Sequence, residues 1–130
     1  MDKPDARTQR QRPARLTDDA LAKLREVSTA TLTTQLLKRG FRNTFMRDVR
    51  PLRPDLRMVG YALTLRYIPA REDLDQIATI DNLTNAQRLA VESVEDGDVL
   101  VVDARGEVDA AVLGEILAAR VQRCLLYTSD

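Results

Sequence analysis

The sequence predicts a mixed α/β domain built in layers. Three observations carry that prediction. Residues 58–68 (MVGYALTLRYI) alternate apolar and polar, residues 99–102 (VLVV) form a continuous apolar run, and apolar residues at three- and four-residue spacing lie before, between and after these segments. Helices, then strands, then a strand–loop–helix unit indicate helices layered on a sheet.

Residues 1–16 carry five basic and two acidic side chains and two Pro, with Leu16 as the first strongly apolar position. They read as a disordered, mildly basic tail. Thr17 is placed to cap a helix whose first turn holds Asp18 and Asp19, where carboxylates meet the positive end of the helix dipole. Leu21, Leu24 and Val27 mark its apolar face. A second helix is expected from about Ser28, with Ala30, Leu32, Leu36 and Leu37 on its apolar side. It should stop at Gly40, after Lys38 and Arg39.

Residues 41–57, with Asn43, Pro51 and Pro54, read as a loop with a short strand near Val49. Over 58–68, Val59, Tyr61, Leu63, Leu65 and Tyr67 share one face and Gly60, Ala62, Thr64 and Arg66 the other, the pattern of a half-buried strand ended by Pro69. Leu74, Ile77 and Ile80 have helical spacing. Thr84 or Asn85 should cap a helix running to Val94, with Leu89 and Val91 inward. Glu95–Asp98 (EDGD) is a tight turn by composition. The run 99–102 is expected to be a strand covered on both faces, with Asp103 at its C-terminal end. A polar loop containing Gly106 leads to a helix over 114–123, with Ile116, Leu117 and Val121 on one side.

The last seven residues, 124–130 (CLLYTSD), lack the pattern of the helix before them and resemble translated adapter sequence, so they are expected to be a non-native tail. Two strands are also fewer than a sheet of ordinary size contains. The expected organisation is therefore a tail over 1–16, the N-terminal part of a single domain over 17–123, incomplete at its C-terminus, and a foreign tail over 124–130.

Composition narrows the chemistry. Lys and Arg number 20 and Asp and Glu 20, so overall charge gives no drive toward nucleic acid or an anionic membrane. With two Phe, three Tyr and no Trp, a stacking platform for single strands is not expected. No apolar run approaches the roughly 18 residues that span a bilayer, and the N-terminus has no hydrophobic signal core, so the expected location is cytoplasmic. The single Cys124 excludes an intramolecular disulfide, and the absence of His removes Ser-His and Cys-His nucleophiles and His-based zinc sites. A metal here would be a hard cation held by oxygen, such as Mg²⁺ or Mn²⁺.

The best place for chemistry is Gly106–Leu117, after the strand ending in Asp103, because open α/β sheets gather ligands at the carboxyl ends of strands. A helix beginning near Gly114 would direct free N–H groups and its dipole at a carboxylate or phosphate, and a glycine there permits close approach. Glu115 could orient a water or accept a proton, or simply favour the helix dipole. Asp103 is equally suited to function or to forming a turn. Arg66 reads as a solvated side chain, and Arg71-Glu72-Asp73 as a solvated loop.

Residues 97–103 (GDVLVVD) followed by 110–118 (AAVLGEILA) resemble the central signature of the RraA-like family, which includes 4-hydroxy-4-methyl-2-oxoglutarate aldolases and regulators of ribonuclease E activity A. Residues 28–34, 47–52 and 67–73 resemble a subgroup labelled ribonuclease activity regulators. The resemblance implies a layered, swivelling-type α/β domain and a homotrimer or hexamer in which a neighbouring subunit helps complete each site. It implies a class II pyruvate aldolase: Mg²⁺ or Mn²⁺ polarises a 2-oxo acid while a C–C bond breaks, and the same chemistry decarboxylates oxaloacetate. By the same resemblance, substrate binds at Gly114, Glu115, Ile116 and Leu117, with Glu115 catalytic. An Arg-Asp pair that clamps substrate and holds the metal falls past Asp130, so no metal ligand is expected within the chain and the chain as written is expected to be inactive. The other function the family implies is a protein that binds and inhibits a ribonuclease. Neither direct nucleic-acid binding nor membrane association is expected.

Overall fold

A computed structural model describes residues 14–71, 73, 81 and 83–126, with side chains described as far as Gln122. Six elements are seen: α1 (Asp18–Glu26), α2 (Thr29–Lys38), β1 (Tyr61–Arg66), α3 (Ala86–Glu92), β2 (Asp98–Asp103) and α4 (Glu115–Leu126). The expected tail over 1–16 lies mostly outside the described residues, as does the helical spacing of Leu74, Ile77 and Ile80. The chain falls into two compact units, Gln9–Val59 and a second built on Gly60–Asp130.

In the first unit, helix starts follow from single side chains. Thr17 Oγ1 accepts from the Ala20 N–H at 3.3 Å, and Ser28 Oγ accepts from the Thr31 N–H at 3.2 Å. Lys23 pairs with Asp19 one turn back at 2.7 Å. Leu21, Leu24 and Val27 of the α1 face are half-buried, as are Leu32 and Leu36 of α2, whereas Ala30 and Leu37 are exposed. The C-terminus of α2 is closed by Gly40, at φ 87°, with the Phe41 N–H bonded to the Leu36 carbonyl at 3.0 Å.

No strand forms near Val49, contrary to the sequence expectation. Arg47–Asp48 is a turn with Asp48 at φ 64°, Val49 is 63% exposed, and Pro51 and Pro54 break any ladder across the following residues.

The second unit is a β–α–β arrangement followed by α4. Strands β1 and β2 pair in parallel, from Tyr61 opposite Asp98 to Arg66 opposite Asp103. Parallel neighbours need a long crossover, and that connection contains α3. Asn85 Oδ1 caps α3 through the Arg88 N–H at 3.1 Å. The helix packs on β1 and α4, and Leu65, Ala90, Val91 and Val94 form the buried core. Within β1, Tyr61, Leu63 and Leu65 turn inward and Ala62, Thr64 and Arg66 outward, as the alternation predicts.

Helix α3 ends at Glu92 rather than at Val94, and three further features differ from expectation. Strand β1 is shorter than 58–68: its six residues match the six of β2, and Met58 and Ile68 lie outside the ladder, 78% and 77% exposed. Strand β2 is half-buried up to Val102 rather than covered on both faces, because β1 is its one partner among the described residues. Helix α4 runs on to Leu126, past Arg123, through residues that hold neither Gly nor Pro.

The sheet starts at a close backbone contact. The Tyr61 N–H donates to the Gly97 carbonyl at 2.8 Å, and Gly97 sits at φ 79° in the Glu95–Asp98 turn. A Cβ on Gly60 would collide with the Gly97 carbonyl oxygen and lie 2.8 Å from Val99 Cγ2. Gly60→Ala is therefore expected to destabilise the protein by about 1–3 kcal/mol, the usual cost of overpacking, read as a lower urea midpoint at unchanged slope. Gly114→Ala, where an added Cβ meets nothing within 4 Å, is the control.

Candidate functional site

Because β1 and β2 are parallel, the segments leaving their C-terminal ends emerge at one edge of the sheet: 67–71 after β1 and 104–114 after β2. The first hydrogen bond past the ladder joins them, from the Tyr67 N–H to the Asp103 carbonyl at 2.9 Å.

Asp103 is a turn former in this structure. Its Oδ1 accepts from the Arg105 N–H at 2.9 Å, which supports Arg105 and Gly106 at φ 59° and 76°. Its Oδ2 lies 3.2 Å from Nε of Arg66, its register partner; both side chains are more than half exposed, which limits the strength of the pair. Arg66 is thus paired on the surface, where the sequence suggested a merely solvated side chain.

The segment 104–114 ends at Gly114, whose carbonyl accepts from the Ala118 N–H at 2.9 Å and opens α4. Gly114 has the cap position and no side chain to accept from the amides of the first turn, which Thr17, Ser28 and Asn85 do for α1, α2 and α3. Gly114 and Glu115 are exposed, Ile116 is 85% exposed and Leu117 is half-buried. The four residues singled out from the sequence therefore make one continuous helix start, accessible on three of its four positions. Glu115 is the acidic residue of the first turn of α4.

Two residues that sequence reasoning missed hold the approach to this helix. The Tyr67 hydroxyl and Nε2 of Gln87 both donate to the Val112 carbonyl, at 3.0 and 2.5 Å. Burial pushes the Tyr67 phenol above its ordinary value, so it stays a donor throughout the neutral range. The inward alternation of β1 was the signal that Tyr67 would be sheltered; nothing local marks Gln87. Further support comes from Arg120 of α4, which forks onto Glu92 of α3 at 3.1 and 2.9 Å.

Among the described residues, no three or more Asp, Glu or Cys side chains are grouped so as to hold a metal ion. Asp103 is committed to Arg66 and its own turn, and Glu115 is a lone carboxylate at a helix start. Among the described residues, the Mg²⁺ or Mn²⁺ implied by the resemblance has no ligand set. Among the same residues, no helix is long and apolar enough to cross a membrane.

The profile of the RraA-like family, Aldolase/RraA, matches residues 25–124. The crystal structure of Streptomyces coelicolor RraAS2, described as an unusual member of the RNase ES inhibitor RraA protein family, superposes with a TM-score of 0.66 at 29% identity. The match covers 85% of this chain and 50% of that one, so the chain spans about half the length of that relative. No curated protein matches.

One exposed pair after β1 gives a direct pH test. The Arg71 guanidinium donates from Nε to Asp73 Oδ1 at 2.7 Å and from Nη2 to Oδ2, and holds that carboxyl below the usual carboxylate range. A depressed carboxyl contributes to folding above its ordinary pKa, and that contribution is lost as pH falls through the lowered value. Arg71→Gln is expected to return the Asp73 midpoint toward about 3.9, read as the ¹³C shift of its carboxyl carbon against pH.

Proposed function

The chain belongs to the RraA-like family, and from that premise we propose that it carries the substrate-binding half of a lyase site for small 2-oxo acids. The substrate class is 4-hydroxy-4-methyl-2-oxoglutarate and related acids, cleaved to pyruvate, together with oxaloacetate, which is decarboxylated. The observation that carries the proposal is the open start of α4: Gly114 at the cap, exposed, with Glu115 and Ile116 exposed after it.

Glu115, Ile116 and Leu117 supply the first-turn amides at the positive end of a helix of 12 residues. A carboxylate set there replaces water on those donors and gains from the dipole, roughly 0.3–1 kcal/mol for an exposed site. That amount alone gives weak binding. Substrate affinity therefore calls for a cation as well, and the Arg of the family's Arg-Asp pair would provide it in a longer protein. Glu115 is the group that would hold or move a proton, through a water, as the C–C bond breaks. A divalent ion, Mg²⁺ or Mn²⁺, is part of the proposal for the full-length protein and supplies Lewis-acid chemistry when bound. A homotrimer or hexamer and a cytoplasmic location belong to the same proposal.

A second reading, a protein that binds and restrains a ribonuclease, is favoured by one observation besides the description of its Streptomyces relative. Twelve basic and five acidic residues lie in Gln9–Val59, against six and thirteen in Gly60–Asp130. The balanced total thus conceals two oppositely charged units, and the acidic one suits contact with a cationic protein segment.

The decisive experiment is pyruvate release from oxaloacetate by the full-length gene product, with and without Mg²⁺. Mg²⁺-dependent release is expected. Tight binding to a ribonuclease with no release would overturn the lyase reading in favour of the regulator. For the site itself, Gly114→Val is expected to weaken pyruvate binding at least about tenfold, equivalent to 1.4 kcal/mol. The unfolding midpoint of the same variant is read alongside, so that a loss of binding is separated from a loss of folding.

A further inference from the structure

Two long polar side chains from different elements are spent on a single backbone oxygen. Tyr67 reaches the Val112 carbonyl across 45 residues of sequence and Gln87 across 25, and both bonds are partly buried. A carbonyl oxygen has two lone pairs, and both are now occupied. Neither bond is required by the sheet or by a helix. The Tyr67 backbone is already bonded to Asp103, and α3 is already capped by Asn85.

What the two bonds fix is the peptide between Val112 and Leu113, in the middle of an irregular segment. One residue separates that peptide from Gly114, whose carbonyl accepts the first bond of α4. With the 112–113 plane held, only the φ and ψ of Leu113 and Gly114 lie between it and the first turn of α4. We propose that Tyr67 and Gln87 are positioning residues that act through the Val112 carbonyl to pre-orient the Glu115–Leu117 amides for the carboxylate of a 2-oxo acid. This rests on the site reading given above, and it assigns roles to two residues outside the Gly114–Leu117 motif. The two donors arrive from the residue just after β1 and from α3, so the orientation is tied to the packing of the βαβ unit.

The test uses the ¹⁵N-labelled 130-residue chain, its Tyr67→Phe, Gln87→Met and Gln87→Glu variants, and the Tyr67→Phe/Gln87→Met pair, with pyruvate as probe. In the free protein, amide order parameters over 113–117 should drop in the double variant from the rigid range near 0.85 toward about 0.6, while those of Val99–Val102 stay unchanged. On titration with pyruvate, the amide shift changes over 115–117 should be smaller in each of Tyr67→Phe and Gln87→Met than in the parent chain, and smaller again in the double variant. Gln87→Glu places an acceptor opposite the carbonyl at neutral pH and a donor once protonated, so its binding should recover as pH falls toward about 4; the folded fraction, followed by circular dichroism at each pH, separates this from a role in stability alone. Unchanged order parameters over 113–117 in the double variant overturn the proposal, as do pyruvate shift changes equal to those of the parent chain. If the parent chain shows no pyruvate shift at 115–117, the substrate reading fails, and the positioning role is judged by the order parameters.

Discussion

The parallel pairing of β1 with β2 is the constraint from which the second unit follows. It forces a crossover, and that connection holds α3, which packs on β1 and α4 with Ala90 and Val91 buried and carries Gln87 to the Val112 carbonyl. It also sends 67–71 and 104–114 out at the same edge, so Tyr67 can bond Asp103 through its backbone and Val112 through its hydroxyl. An antiparallel hairpin of the same two strands would place those exits at opposite ends. The register depends on a local fact: Gly60 fits beside Gly97 only because it lacks a Cβ. Shifting the pairing by one residue would turn the inward face of β1, with Leu65, to solvent.

The helix starts divide the molecule by purpose. Three are closed by side chains that cost nothing beyond a short polar residue at the right place: Thr17, Ser28 and Asn85. The fourth begins at a glycine, and its support comes instead from two residues before, at Val112. A side-chain cap satisfies the first-turn amides; a clamp on the preceding carbonyl orders the backbone and leaves those amides available. The arrangement is compatible with the carboxylate binding proposed for that start.

Much of this was legible because it is local. A cap and its partner are three residues apart, a tight turn is four residues, and the inward face of β1 is a period of two, so each leaves its mark in a short window. The helix start at Gly114–Leu117 was legible for the same reason, supported by the resemblance of its surroundings to a family signature. What escaped has partners far along the chain. The ends of β1 are set by the length of β2, the exposure of Val49 by the lack of a neighbouring strand, and the bonds to Val112 by a fold that brings positions 67, 87 and 112 together. Asp103 shows the limit from the other side. Its place at a strand end was evident, but its choice between ligand and turn was decided by an arginine that sits opposite it only in the folded register. Charge segregation between the two units was also missed, because a total of zero says nothing about distribution.

The doubly accepting oxygen of Val112 has an electronic corollary. Two donors withdraw density from the carbonyl and deepen the amide resonance of its peptide group, in the cooperative manner of hydrogen-bonded chains. The nitrogen of that group is Leu113, so its N–H becomes more acidic and a stronger donor than an unpolarised amide. Tyrosine and glutamine thereby reach, through one conjugated plane, a hydrogen atom that neither of them touches.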